Sequence, residues 1–228
     1  MQMPTVQEFA ALIEHTLLKP DALSAEIDRL CDEALEHRFV GVCVHGSRVM
    51  RAHTRLEDSD VNVVAVVGFP SGACDSDVKR FETEVAIDNG ASEIDVVMNI
   101  GRFKDNDQAG IIRELRDVIE AAEERPVKLI LETCLLSEEE IVRACQWAQE
   151  ADVDFVKTST GFGSAGAKRE HVALMRQTVK DTMGVKASGG IRDLATALAM
   201  VEAGANRLGT SAGVTLIRDY SHQRAEVS

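Results

Sequence analysis

The segment from residue 127 to residue 190, VKLILETCLLSEEEIVRACQWAQEADVDFVKTSTGFGSAGAKREHVALMRQTVKDTMGVKASGG, alternates three short apolar runs with two longer segments. The short runs are VKLILE at 127–132, VDFVKTS at 153–159 and GVKASG at 184–189. They are apolar without strict alternation, which is typical of parallel strands that helices cover. The segment therefore predicts parallel strands connected by crossover helices.

The segments between strands carry helix signals of their own. Ser137 and Glu140 form a capping box, Ser-x-x-Glu, directly before apolar residues at helical spacing. Earlier in the chain, apolar residues from Ile27 to Leu35 follow the same spacing. We expect both segments to be crossover helices.

Similar apolar runs occur along the rest of the chain. They are FVGVCVH ending at His45, VNVVAVVGF ending at Phe69, SEIDVVMNI ending at Ile100, a shorter run from Arg207 to Thr210, and a weak one from His15 to Leu18. Eight β/α units in 228 residues fit the length of about 200 to 250 residues that is usual for a TIM (β/α)8 barrel. The sequence thus predicts an α/β fold, a TIM barrel, as a single domain over residues 1–228. An open, doubly wound sheet remains the alternative.

Charge and cysteine content narrow the class of protein. The chain carries 38 acidic and 25 basic residues, for a net charge of -13, so we expect no binding to nucleic acid. Its five cysteines are odd in number and form no Cys-x-x-Cys pair, which favours reduced thiols in the cytoplasm. The first thirty residues contain no long apolar run, so we expect neither a signal peptide nor a membrane partner.

Two lysines lie where strands of the predicted barrel end. Lys157 occurs in DFVKTST, and Lys186 occurs in the next run, GVKASGG. Catalytic groups of TIM barrels lie at the C-terminal ends of the strands, and neighbouring strands would bring these two ammonium groups together. Two like charges in a partly desolvated site favour the loss of one proton, and a lysine must be a neutral amine to attack a carbonyl. A salt bridge to an acid on a neighbouring strand is the alternative for Lys157.

An acidic residue, Asp95, lies in the middle of the apolar run SEIDVVMNI. An inward carboxylate near two lysines can relay protons, or it can serve as their counter-ion, and the two roles are compatible. We expect its neighbour Glu93 to point the opposite way or to lie at the entry of the strand.

Glycines cluster after the last strands of the predicted barrel. The clusters are Gly161 with Gly163, Gly189 with Gly190, and Gly209 to Gly213 around Ser211. Glycine lets a phosphate approach the backbone closely, and the loops after the seventh and eighth strands are the recurrent phosphate site of TIM barrels. Turn geometry alone explains any one of these glycines, but adjacent clusters favour a phosphorylated substrate.

One segment matches the glycine pattern of a dinucleotide-binding motif but lacks the rest of that motif. Gly161-Phe-Gly163-Ser-Ala-Gly166 follows a strand and reads G-x-G-x-x-G, but the acidic residue expected about 20 positions later is missing. The histidines show no metal-ligand spacing, and we interpret His15 and His45 as hydrogen-bonded structural residues. The sequence therefore predicts no metal site and no cofactor.

The chain resembles the 2-deoxyribose-5-phosphate aldolase family in a series of blocks that occur in the same order. The blocks are IEHTLLKPDA, VGVCVHGSRV, VVGFPSGA, EIDVVMNIG, LILETCLL, FVKTSTGFGSAGA, VKASGGIR and LGTSAG, and they cover nearly the whole length. The resemblance implies a metal-independent class I aldolase on a TIM barrel. It places the Schiff-base lysine of the family on Lys157, the second lysine on Lys186 and the proton-relay aspartate on Asp95.

The resemblance also implies which residues bind the substrate. The corresponding positions are Thr160, Gly161, Gly189, Gly190, Gly209 and Ser211 at the strand ends, and Cys43 in the pocket. Many members of the family have Asp where this chain has Glu14. Some members end in a tyrosine that reaches the active site, whereas the only tyrosine here, Tyr220, lies in the C-terminal tail. Proton transfer is then expected to rely on Asp95, Lys186 and water.

These observations lead to one hypothesis of function and two alternatives. The hypothesis is reversible cleavage of 2-deoxy-D-ribose 5-phosphate to D-glyceraldehyde 3-phosphate and acetaldehyde by a homodimer or homotetramer, through a Schiff base on Lys157. The alternatives are a Schiff-base aldolase or transaldolase-like barrel acting on a different phosphosugar, and a barrel that only binds a sugar phosphate as a sensor. If Lys186 acts only by repelling charge on Lys157, its removal should leave the stability of the fold unchanged or higher. If Lys186 is instead only a salt-bridge partner of Asp95, its removal should destabilise the protein by about 3 to 5 kcal/mol.

Overall fold

A computed structural model describes residues 4–227 of the chain, with side chains described for residues 4–225. The strands are β1 (Ile13–Thr16), β2 (Gly41–His45), β3 (Asn62–Val67), β4 (Glu93–Val97), β5 (Val127–Ile130), β6 (Phe155–Lys157), β7 (Gly184–Ser188) and β8 (Arg207–Thr210). The α-helices are α1 (Val6–Ala10), α2 (Ser24–His37), α3 (Val49–Leu56), α4 (Ser76–Asp88), α5 (Ile100–Lys104), α6 (Gln108–Ala121), α7 (Glu138–Glu150), α8 (Arg169–Val179), α9 (Leu194–Glu202) and α10 (Gly213–Val227). Two 3-10 turns, Gly46–Arg48 and Thr133–Leu135, follow β2 and β5.

The eight strands form one closed parallel sheet in chain order. The sheet closes where β8 pairs with β1, with Ile13 opposite Leu208 and His15 opposite Thr210. The predicted TIM barrel is thereby confirmed. The open, doubly wound sheet is excluded, because such a sheet would leave two strand edges unpaired.

The first strand lies earlier than the sequence predicted. It covers Ile13–Thr16 rather than His15 to Leu18. The backbone N–H of Leu17 still donates to the carbonyl of Cys43 at 3.0 Å, but the carbonyl of Leu18 is hydrogen-bonded by the His45 ring at 3.0 Å. A side chain therefore takes the place of a strand partner at Leu18, and the chain leaves the sheet there.

The predicted helix signals are confirmed. The Ser137 hydroxyl caps α7 by accepting a hydrogen bond from the Glu140 N–H at 3.2 Å, and the Glu140 carboxylate accepts one from the Ser137 N–H at 2.8 Å. Helix α2 buries Ile27 and Leu30 against the barrel, as its spacing indicated. Within residues 4–227, no helix combines the length and the apolar character that crossing a membrane requires.

The barrel interior differs between its two sides. The outer faces of the strands pack against the helices, and Ile94 and Val96 of β4 belong to that main core. Inside the barrel, Cys43, Val64 and Val66 of β2 and β3 form a small apolar cluster with Leu18. Across the interior, strands β1 and β4 to β7 contribute buried charged side chains instead, and β8 contributes the partly buried Arg207. The strands are thus apolar on both faces only at β2 and β3, and this asymmetry positions the site.

Glycine at position 184 makes room for the aromatic ring that fills the bottom of the barrel. Gly184 lies opposite Phe155, and a Cβ there would lie 2.0 Å from Cε1 of the Phe155 ring. The guanidinium of Arg207 lies over that ring, 5.6 Å from its centroid, and this contact limits the movement of the ring.

We therefore expect Gly184→Ala to lower the free energy of unfolding by about 1 to 3 kcal/mol, the usual cost of overpacking a dense core. Urea unfolding followed by circular dichroism measures the change. Gly46→Ala is the matched control, because a Cβ at Gly46 meets nothing within 4 Å. Equal stabilities of the two variants would contradict the proposed role of Gly184.

Candidate active site

A cavity of about 300 Å³ opens where β6, β7 and β8 end. Lys157 lies in its lining, and the loops after these strands form its walls. Of the residues predicted to bind substrate, the lining includes Thr160, Gly161, Gly189, Gly190, Gly209 and Ser211. Closure of the barrel thus brings together the glycine clusters and one of the two predicted lysines around a single space.

Lys157 and Lys186 meet at one carboxylate oxygen. They occupy paired positions on β6 and β7. The ammonium of Lys157 donates to Oδ2 of Asp95 at 2.7 Å, and that of Lys186 donates to the same oxygen at 2.6 Å. All three side chains are buried, with Lys157 only 2% exposed. The structure therefore brings together the three residues that the sequence singled out.

Asp95 has a third cationic partner. Lys128 of β5 donates to its other oxygen, Oδ1, at 3.0 Å. Burial by itself would raise the pKa of Asp95, but the charges of Lys128, Lys157 and Lys186 outweigh it and hold the pKa well below its ordinary value. Asp95 is therefore a carboxylate that accepts hydrogen bonds on both oxygens.

Lys186 lies between two carboxylates. It is fully buried and donates to Glu14 of β1 as well as to Asp95. Burial alone would lower the pKa of Lys186, but Asp95 and Glu14 raise it. Lys186 thus remains an ammonium group, and its contacts are attractive ones. On this geometry we expect its removal to lower stability rather than leave it unchanged or higher, because Asp95 and Glu14 would each lose a buried cationic partner.

Glu14 and Glu93 extend the charge cluster toward the lower end of the barrel. Glu14 Oε1 lies 3.7 Å from the Lys128 ammonium and 3.5 Å from the Arg207 guanidinium. Burial would raise the pKa of Glu14, but Lys128 and Lys186 lower it. Glu93 forms an ion pair with Lys128 and lies 3.5 Å from Arg207, so it faces the interior at the strand's entry. Sequence reasoning missed Lys128, which occurs in an apolar run with no second acid or base beside it.

Gly209 of β8, which pairs with Ser188, leaves room for the side chain of Lys186. A Cβ at Gly209 would lie 3.1 Å from Cε of Lys186 and 2.9 Å from Cβ of Ser188. Gly209 thus has a steric role in the floor of the cavity, in addition to the substrate contact that the sequence predicted for it.

The walls of the cavity are tied to one another by backbone and hydroxyl hydrogen bonds. The N–H of Ala167 donates to the carbonyl of Gly189 at 2.9 Å, which joins the loop after β6 to the loop after β7. The Thr210 hydroxyl donates to the carbonyl of Ile191 at 2.6 Å, which joins the loop after β7 to the end of β8. Ser211 follows, two residues before α10 begins.

Two exposed cations, Lys19 and Arg192, also line the cavity. They come from loops after β1 and β7 and were not singled out in the sequence, although Arg192 is the last residue of the block VKASGGIR. Positive charge beside accessible backbone suits a phosphate group. The arrangement as a whole can hold a small anionic molecule above the amine of Lys157.

Several other predicted residues lie outside the cavity lining. Cys43 is fully buried in the apolar cluster of β2 and β3, and burial raises the pKa of its thiol. Tyr220 lies in α10 rather than in a loose tail: its hydroxyl donates to the carbonyl of Pro4 at 2.7 Å and its ring packs on Phe9. His15 pairs with Glu33 at 2.7 Å, which agrees with a structural role.

The known proteins to which the chain is similar in sequence are aldolases. A family model described as DeoC/LacD family aldolase matches residues 12–222. A deoxyribose-phosphate aldolase of Alkaliphilus oremlandii is 53% identical over 217 residues, covering 95% of this chain and 98% of that protein. One from Streptococcus pneumoniae is 54% identical over 206 residues, covering 90% and 94%.

Solved structures agree in fold. A tetrameric deoxyribose phosphate aldolase from Aeropyrum pernix superposes with a TM-score of 0.89 at 30% identity, covering 95% of this chain and 92% of that chain. An aldolase called QR15 superposes with a TM-score of 0.92 at 36% identity, covering 99% and 100%.

The buried ion pairs of Lys186 yield a test of the charge cluster. We expect Lys186→Leu to lower the free energy of unfolding at pH 7 by about 3 kcal/mol, because two buried carboxylates lose a partner. Lys104→Leu breaks a half-exposed pair with Glu140 and should cost less than about 1 kcal/mol. Urea unfolding measures both.

The deficit of the Lys186 variant should shrink as the pH falls below about 4. The folded-state pKa values of Asp95 and Glu14 are lowered, so their charges stabilise the wild type above the unfolded pKa, and this stabilisation is lost as the pH falls. The variant has less of this electrostatic stabilisation, so its free energy of unfolding falls less with pH than that of the wild type. A deficit that stays constant from pH 7 to pH 3 would contradict the electrostatic origin.

Proposed function

The chain belongs to the DeoC/LacD family of aldolases, and from this premise we propose that it cleaves 2-deoxy-D-ribose 5-phosphate reversibly to D-glyceraldehyde 3-phosphate and acetaldehyde. It is then a lyase, and Lys157 forms the Schiff base. The observation that carries the proposal is the buried amine of Lys157 at the floor of the cavity, sharing one Asp95 oxygen with Lys186. The deoxyribose-phosphate aldolases to which the chain is similar support the choice of substrate.

Charge balance supports Lys157 as the nucleophile. The cluster contains three carboxylates, of Glu14, Glu93 and Asp95, against three lysines and one arginine. Arginine remains charged in proteins, and the pKa values of Lys128 and Lys186 are raised by their carboxylate partners. The cluster therefore holds one cation more than its carboxylates balance, and the step in which Lys157 gives up a proton to attack a carbonyl leaves the charges equal. Lys157 is also the lysine of the cluster that lines the cavity, where a carbonyl group can reach it.

The reaction follows from that assignment. The amine of Lys157 adds to the C1 aldehyde of the open-chain sugar, and loss of water gives an iminium ion. The C3 hydroxyl loses its proton, the C2–C3 bond breaks, and its electron pair moves to the nitrogen to form an enamine. D-glyceraldehyde 3-phosphate leaves, C2 takes up a proton, and water releases acetaldehyde from the lysine. The electron sink is the iminium nitrogen itself.

Asp95 and Lys186 are the groups placed to move protons in these steps. Oδ2 of Asp95 accepts hydrogen bonds from both lysines, so a proton can pass between Lys157 and Lys186 through this one oxygen. Because its pKa is held low, Asp95 holds a proton only briefly. We assign it the role of a relay, with the Lys186 ammonium or water as the immediate proton donor and water as the immediate acceptor.

The glycine loops and the rim cations would hold the 5-phosphate. Gly161, Gly189 and Gly190 expose backbone around one end of the cavity, and Ser211 adds a hydroxyl. Lys19 and Arg192 contribute positive charge there. The sequence predicts that Cys43 lines the pocket, but Cys43 does not line this cavity. A protein that only binds sugar phosphates would need this cradle but not a buried lysine at its floor.

We also propose a homodimer or homotetramer working in the cytoplasm as a single aldolase-type barrel domain. A tetrameric relative from Aeropyrum pernix supports assembly into an oligomer. The five cysteines, which are free in the structure, favour a reducing compartment.

Trapping of the Schiff base tests the nucleophile. With acetaldehyde and borohydride, Lys157 should gain an ethyl group that mass spectrometry locates on its peptide. Lys157→Ala should lose the label and at least about three orders of magnitude of cleavage rate in a coupled NADH assay with a chelator present. Lys168→Ala, which removes an exposed lysine, is the control and should keep both. A fully active Lys157→Ala enzyme would end the proposal.

A further inference from the structure

Glu132, at the end of β5, combines a costly backbone conformation with a buried carboxylate. Its φ and ψ are 52° and 62°, in the left-handed region that residues with a Cβ rarely adopt, and it is only 4% exposed. The neighbouring residues are fixed on the barrel, because Leu131 donates to the carbonyl of Lys157 and Thr133 donates to that of Thr158, each at 2.9 Å. Such strain persists only where the surroundings impose it, and it commonly marks functional sites.

The carboxylate of Glu132 binds the loop that follows β6. Its Oε2 accepts hydrogen bonds from the Thr160 hydroxyl and, at 3.4 Å, from the Thr160 N–H. The Thr160 hydroxyl in turn accepts from the Phe162 N–H at 3.0 Å. A Cβ at Gly163 would lie 3.2 Å from the carboxyl carbon, so the loop lies directly on Glu132. Hydrogen bonds to a charged acceptor are stronger than neutral ones; here they hold Thr160 directly and Phe162 through the Thr160 hydroxyl.

The residues held in this way form a wall of the cavity. Thr160, Gly161 and Phe162 all line it. Gly161 touches the glycine turn after β7, since a Cβ on Gly189 would lie 3.5 Å from the Cα of Gly161. The wall therefore borders the part of the cavity that faces the glycine turn after β7.

Glu132 is separate from the charge cluster around Lys157. Among the described side chains, residues 4–225, no ion pair joins Glu132 to a lysine or arginine, and Asp95 has its hydrogen bonds to Lys128, Lys157 and Lys186 instead. The position of the wall and the chemistry of the amine thus depend on different carboxylates.

We propose that Glu132 is a positioning residue that holds the Thr160–Phe162 wall for the 5-phosphate and so sets the preference for phosphorylated over unphosphorylated deoxyribose. This inference rests on the proposed aldolase function. Glu132 itself touches no substrate in this scheme, and it acts through the hydroxyl and N–H of Thr160.

The experiment compares cleavage of 2-deoxyribose 5-phosphate with cleavage of 2-deoxyribose. Glu132→Ala should lower kcat/KM for the phosphate ester by about 10- to 100-fold, mainly through KM, because Thr160 loses its charged acceptor. The value for 2-deoxyribose should change less than about 2-fold, since those contacts do not reach the amine. Glu132→Gln should fall between, because an amide oxygen accepts the hydroxyl hydrogen bond without the charge.

Two further measurements separate positioning from a general structural effect. Inorganic phosphate, used as a competitive inhibitor of 2-deoxyribose cleavage, should bind Glu132→Ala more weakly by the same factor. Borohydride trapping of acetaldehyde on Lys157 should proceed as in the wild type. Glu138→Ala, an exposed carboxylate in the first turn of α7, is the control and should leave all readouts unchanged.

Equal losses on both substrates, or no loss on either, would overturn the proposal. If Glu132→Ala does not fold, Glu132→Gln and Thr160→Val decide, because Thr160→Val removes the partner hydroxyl and should produce the same selective loss. A wild-type protein that neither cleaves 2-deoxyribose 5-phosphate nor forms an adduct on Lys157 would refute the aldolase function itself, which is a different result from an unselective Glu132 variant.

Discussion

The constraint on which the site depends is one buried carboxylate shared by three lysines. Taking Asp95 and its partners out of water costs several kcal/mol per ion, and only close, hydrogen-bonded contacts offset that cost. The contacts come from β5, which pairs with β4, and from β6 and β7 farther round the barrel, while Glu14 of β1 is the second carboxylate partner of Lys186. Because the barrel is closed, side chains of β1 and β7 can meet in its interior. The chemistry of Lys157 is therefore a consequence of closure.

Closure also explains why small residues occur where they do. The interior must accommodate long lysine side chains on one side and branched apolar ones on the other. Gly209 leaves a path for Lys186, and Gly184 leaves a space for the Phe155 ring. On the side of β2 and β3, Val64 and Val66 fill the interior, so the charge cluster lies beside apolar side chains. Low polarity there strengthens the electrostatic interactions inside the cluster.

Much of this arrangement could be predicted from the sequence, and the failures have identifiable causes. Apolar runs at regular intervals predict strands, and lysines near strand ends predict a site, because both signals are local. Lys128 was missed because the side of the barrel that a residue of VKLILE faces depends on the tilt and register of the closed sheet. Glu132 was missed because nothing in LETCLL signals a left-handed conformation. The expectation for Lys186 considered repulsion by Lys157, whereas Glu14 lies 172 positions away in the chain and was not weighed as its partner.

The division of labour between strands and loops has a consequence for how such an enzyme can diversify. Every carboxylate that pairs with the lysines of the cluster is carried by a strand, whereas the cavity walls at Thr160, Gly190 and Ser211 are carried by loops. Loop sequences tolerate change far better than packed strands. Mutations in the loops can therefore change which acceptor molecules the cavity binds, while the amine and its counter-ions on the strands stay the same. The barrel thus separates a reactive interior, carried by strands, from a rim carried by loops that can be exchanged, which makes it a favourable starting point for directed evolution.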